Sequence, residues 1–137
     1  MKKIIAILSL VLFFFSSCDR SGIFEEYKNA TPYEFHVIAV SDAADVHLKP
    51  IAGVTVQLFR TEAQRTAGTP IYASGVTGAD GKAIFTEAML NPNKKVDEAK
   101  GFYYLKLTKE GYKTTNATSR YLLLNDGHTH MWVQMLP

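Results

Sequence analysis

Beyond residue 32 the chain alternates between apolar and polar positions. Val54, Val56 and Leu58 are spaced two apart, as are Tyr103, Leu105 and Leu107, and Met131, Val133 and Met135. That period places each trio on one face of a strand and predicts the core. Such segments recur over 33–41, 54–60, 71–77, 82–87, 102–109, 119–124 and 129–136, divided by clusters of Gly, Pro, Asn and Asp. Seven short strands at this spacing predict a β-sandwich. No stretch holds a helical period, and only 86–89 and 96–100 suit single helical turns. Asp80-Gly81 between two strand segments predicts a hairpin, because both residue types tolerate positive φ. Asn125-Asp126-Gly127 plays the same part before the last strand, and Gly111-Tyr112 predicts a tight turn after the fifth. Burial at about 1.5–3 kcal/mol per large apolar side chain can hold such a domain together without disulfides.

The first residues follow a different pattern. Lys2 and Lys3 precede an uncharged run over 4–15 in which Ser9 is the single polar residue. As a helix this run is about 18 Å long against a hydrocarbon core of ~30 Å, too short to span and suited to the apolar region of a secretory signal. Ser16 and Ser17 then lead into Cys18, and residues 19–31 mix charge, glycine and few apolar side chains up to Pro32. This stretch reads as a flexible tether with an extended reach of about 43–47 Å.

Composition narrows the possibilities. The chain has 137 residues, 47% apolar and 20% charged, which allows one globular domain. Fifteen Lys and Arg oppose 13 Asp and Glu, for a formal charge of +2. Lys2 and Lys3 belong to the signal, so removal of residues 1–17 leaves the two signs balanced. No nucleic-acid partner is expected from that balance. A single cysteine, Cys18, excludes an intramolecular disulfide framework and any multi-cysteine metal cluster.

Lys2-Lys3, the apolar run and Ser16-Ser17-Cys18 together resemble a bacterial lipoprotein signal. The resemblance implies cleavage before Cys18 and acylation of its thiol and new amine. Two or three acyl chains anchor stably where one does not, each buried CH₂ adding about 0.8 kcal/mol. Asp19 follows the cysteine. In some enteric bacteria an acidic residue there favours retention in the inner membrane, but the expected location is the cell envelope, lipid-anchored and at the outer membrane.

Within the domain, three stretches are similar to the carboxypeptidase regulatory-like domain, a transthyretin-like sandwich. They are Pro50-Ile51-Ala52-Gly53-Val54-Thr55-Val56, then Thr77 to Phe85 with Asp80-Gly81 at the centre, then Gly101-Phe102-Tyr103-Tyr104-Leu105 with Glu110-Gly111-Tyr112. The expected organisation is therefore all-β: a seven-stranded Greek-key β-sandwich, transthyretin-like or Ig-like, behind a cleaved lipoprotein signal peptide. Residues 1–17 form the signal, 18–32 the lipidated cysteine and tether, and 33–137 the sandwich.

Candidate chemistry is sparse. His36, with His128 and His130, resembles the histidines of hydroxyisourate hydrolases, a transthyretin-like enzyme family. Gln57 stands where that resemblance requires arginine, and the chain ends Gln134-Met135-Leu136-Pro137 without the family's Tyr-Arg-Gly-Ser tail, so no enzymatic activity and no catalytic residue are expected. His128 and His130 share a strand face and would need a third ligand such as Asp126, His36 or His47 to hold a metal. Asp42, Asp45 and His47 lack the density of a calcium loop. Neither a metal nor another cofactor is expected, and the two histidines read as a polar outward face. Trp132 with Tyr104 and His130 could form an aromatic platform for a sugar ring. The expected role is a membrane-anchored, non-enzymatic accessory module with a protein or glycan partner; the alternative is a carbohydrate-binding accessory of a glycan-uptake system.

Overall fold

A computed structural model describes residues 32–41, 48–93, 102–119 and 128–137. The signal, Cys18 and the tether up to residue 31 lie outside these residues, as do Asp42, Asp45, His47, Asp126 and the segments 94–101 and 120–127. The described chain is an all-β sandwich of seven strands in two sheets: β1 (Glu34–Val40), β2 (Thr55–Phe59), β3 (Ala73–Val76), β4 (Lys82–Thr86), β5 (Tyr104–Thr108), β6 (Thr115–Thr118) and β7 (His128–Gln134). A three-stranded sheet has the order β4-β1-β7, and a four-stranded sheet the order β3-β2-β5-β6.

The core lies where the predicted faces meet. Phe35, Val37 and Ala39 of β1, Ala83 and Phe85 of β4, and Val133 of β7 with Met135 just beyond it point across to Val56 and Leu58 of β2 and Leu105 and Leu107 of β5. All of these are buried, and Met131 is half-buried against them. The Phe35 ring lies 6.3 Å from both Phe85 and Tyr103, within the range of favourable aromatic pairs. On the opposite face of β1, His36, Ile38 and Val40 are also buried. As the central strand, β1 is flanked on both sides, by β4 antiparallel and by β7 parallel.

Three sequence expectations need correction. Asp80-Gly81 does not close a hairpin. The turn over residues 78–81, closed by Gly81 N–H donating to Gly78 O at 2.9 Å, leads from β3 in one sheet to β4 in the other. The crossing is pinned by Thr77, whose buried Oγ1 accepts from Val54 N–H at 2.9 Å and donates to Ile51 O at 2.6 Å. Thr77→Val keeps the shape but leaves both backbone groups unpaired. A loss of about 2–3 kcal/mol is expected, read as a lower urea midpoint with an unchanged m-value.

Second, Thr115–Thr118 forms a strand, β6, where none was expected, and the strand expected over 119–124 lies outside the described residues beyond Ser119. β6 pairs antiparallel with β5 across the Gly111-Tyr112 turn, where Gly111 has φ of 82°. Edge strands need only one apolar face. Ala117 alone packs against the core from this one, so no apolar run marks it.

Third, a helix α1 (Glu62–Ala67) stands where none was expected. Thr61 caps it by accepting from Gln64 N–H at 3.2 Å, and Gly68 at φ of 75° ends it. A second single turn, α2 (Glu87–Leu90), falls one residue from the expected 86–89.

Candidate functional site

The parallel pairing of β1 with β7 sets Glu34 beside His128 and His36 beside His130. Alternation turns all four side chains to the outer face of the three-stranded sheet, opposite the core residues Phe35 and Val37. Two strands far apart in sequence thus build a compact square of one carboxylate and three imidazoles.

Glu34 Oε2 is the hub. His36 donates Nε2–H to it at 2.7 Å and His128 donates Nδ1–H at 3.0 Å. The ligand-type atoms of Glu34, His36 and His128 all lie within 4.8 Å of one another. His36 is 8% exposed, Glu34 half-buried and His128 exposed, so the cluster reaches from interior to surface. The His130 ring stands edge-on to His36 at 4.7 Å and lies 6.3 Å from His128.

The electrostatics favour an ionised Glu34 and an uncharged His130. Hydrogen bonding from His36, aided by both neighbouring imidazoles, holds the Glu34 carboxyl below its usual range against partial desolvation. Desolvation first, then repulsion from His36, His128 and Lys82, lowers the His130 pKa and favours its neutral form. A carboxylate beside imidazole nitrogens is a hard-to-borderline donor set of the kind that binds divalent transition metals.

Glu34 and His128 also form part of the wall of a cleft of ≈ 380 Å³, completed by Tyr33, Thr86, Glu87 and Asn91 among others. The cleft opens between the start of β1 and α2. The histidine square therefore has an accessible side, reached through Glu34 and His128.

The remaining candidates are dispersed. His128, His130, Trp132 and Gln134 occupy the outward face of β7 as expected, with Trp132 60% exposed. Tyr104, however, lies on β5 in the other sheet, where the Arg65 guanidinium of α1 stands 5.5 Å from its ring centroid. Trp132 and Tyr104 thus face opposite sides of the sandwich and form no common platform. Gln57 is likewise on the four-stranded sheet and does not join His36, His128 and His130. Sequence reasoning grouped the three histidines but missed Glu34, because nothing in the spacing links residue 34 to residue 128. The signal lies in the alternation of Glu34-Phe35-His36 and His128-Thr129-His130, which prepares matching faces without saying that they pair.

Two short sheets packed face to face define a β-sandwich domain. No family model matches the chain, and no curated protein does. Solved structures do share its fold. The Bacillus anthracis TIE protein matches 77% of this chain with a TM-score of 0.53 at 18% identity, over 17% of its own length. The shaft pilin spaA from Lactobacillus rhamnosus GG matches 77% of the chain with a TM-score of 0.53 at 14% identity, over 51% of its own length. The chain thus spans about half or less of these proteins, and the likeness concerns the sandwich.

Proposed function

We propose that the chain is a lipid-anchored lipoprotein of a bacterial envelope, placed at the outer membrane, whose sandwich is a non-enzymatic interaction module. The carrying observation is the ordered set Lys2-Lys3, the uncharged run over 4–15, and Ser16-Ser17-Cys18. Among the described residues no helix is long and apolar enough to cross a membrane. A sandwich of this fold also occurs in a shaft pilin, which is consistent with a part that makes contacts at a cell surface.

The tether at residues 18–32 gives the domain a reach of about 45 Å from its lipid. The outer face of the three-stranded sheet offers exposed Trp132 and Ile84 to a protein or glycan partner. In a Gram-negative host, labelled palmitate should enter the wild-type chain and be absent from Cys18→Ala, which should shift from the membrane pellet to the soluble fraction. Labelling that survives the substitution would overturn the anchor.

A further inference from the structure

We propose that Glu34, His36 and His128 form a binding site for a zinc-class divalent metal ion on the outer face of the three-stranded sheet. The inference goes beyond the anchoring role and does not depend on it.

The geometry is close to what a metal requires. Zinc bonds of ~2.0–2.2 Å in a tetrahedral site set ligand atoms about 3.3–3.5 Å apart. Glu34 Oε2 is already 2.7 Å from His36 Nε2 and 3.0 Å from His128 Nδ1, and all three ligand positions fall within 4.8 Å. An ion entering among them would bind His36 Nε2 and His128 Nδ1 in the neutral tautomers that carry the ring proton on the other nitrogen, and would move each donor by only a fraction of an ångström to about one ångström. The carboxylate would then exchange two hydrogen bonds for one metal bond, while supplying the charge that the imidazoles lack.

The supports for the ligands are firm. His36 and Glu34 sit on the central strand, held by β4 on one side and β7 on the other. His128 enters from the adjacent strand in fixed register with Glu34. A site built on paired strands changes little on binding, so less ordering cost opposes the ion. His36 also carries a buried Nδ1 with no hydrogen-bond partner among the described residues.

The donor set selects the ion. Two imidazole nitrogens and one carboxylate oxygen suit zinc, cobalt, nickel and copper, whereas magnesium and calcium require more oxygen ligands. Coordination is completed from the cleft side, beside Glu34 and His128, by water or by an incoming carboxylate. His130 adjoins the set through His36 and is not one of the three convergent ligands.

The test uses the full chain, purified in detergent without a histidine tag and stripped with a chelator. Titration with zinc chloride should give one ion per chain, cobalt(II) should produce a visible d–d band, and magnesium should not compete. His128→Gln and Glu34→Gln should each weaken zinc binding at least tenfold, whereas His130→Gln should change it less than threefold. His128 is exposed, so His128→Gln is expected to keep the parent circular dichroism spectrum; it decides the matter if Glu34→Gln fails to fold. The assignment is overturned if zinc does not bind, if the folded His128→Gln binds zinc as the parent does, if His130→Gln loses as much as His128→Gln, or if Cys18→Ala abolishes binding.

Discussion

Phe35→Ala is expected to bring the domain close to unfolding, with a loss of about 3–5 kcal/mol. Phe35 is fully buried on the central strand and packs against Phe85 of its own sheet and Tyr103 from the opposite side of the core. Truncation removes one ring from two aromatic pairs and leaves a cavity that a paired central strand cannot collapse to fill. A small domain has about 5–15 kcal/mol in total, so the loss takes a large share of it. Urea denaturation of the wild type and variant, followed by far-ultraviolet circular dichroism, measures the difference. A midpoint shift equivalent to less than about 1 kcal/mol would contradict the packing described for Phe35.

Gly81→Ala is expected to cost about 2–4 kcal/mol, for two separable reasons. Gly81 has φ of 74°, and a Cβ built there lies 2.8 Å from both Ala39 O and Pro50 Cβ. The first effect is conformational. The second pushes the turn away from β1, where Ala39 N–H donates to Gly81 O at 2.9 Å. Gly111→Ala isolates the first effect, since Gly111 has φ of 82° and nothing within 4 Å of the added carbon. It should cost only about 1–2 kcal/mol. Equal losses in the two variants, read from thermal or urea unfolding, would show that contact with β1 adds nothing at Gly81.

The sandwich was largely legible because alternation reports burial directly. Val54, Val56, Leu58, Leu105, Leu107, Val133 and Met135 needed only a period of two, and each is in the core. Errors arose where a strand or turn serves another purpose. β6 carries Thr115, Asn116 and Thr118 and contributes only Ala117 to the core, so its hydrogen bonding to β5 has no apolar signature. Asp80-Gly81 was correctly read as a turn, yet which sheet receives the next strand depends on Thr77 and on the space beside Pro50. Helix α1 is six residues long, too short for a visible period. Its mark was the Thr61-Glu62-Ala63-Gln64 start and the Gly68 stop.

The histidine cluster shows a different limit. Local pattern assigned His128 and His130 to one outward face, which the structure bears out. Their neighbours could not be read locally, because partnership across a sheet depends on register and not on spacing. Glu34 was overlooked for the same reason that Tyr104 was wrongly joined to Trp132: strands adjacent in one sheet had not been told apart from strands in opposite sheets.

The parallel contact between β1 and β7 also sets the order of events when the chain folds. Glu34 meets His128, 94 positions later, and the central strand of its sheet lacks one neighbour until that late segment has emerged. Loop closure over such a separation is slow compared with hairpin formation. A chain emerging from the ribosome can form the β5–β6 hairpin early, but cannot complete the three-stranded sheet until β7 has been made. On the envelope location proposed above, that delay would keep the three-stranded sheet open until β7 had followed the rest of the chain.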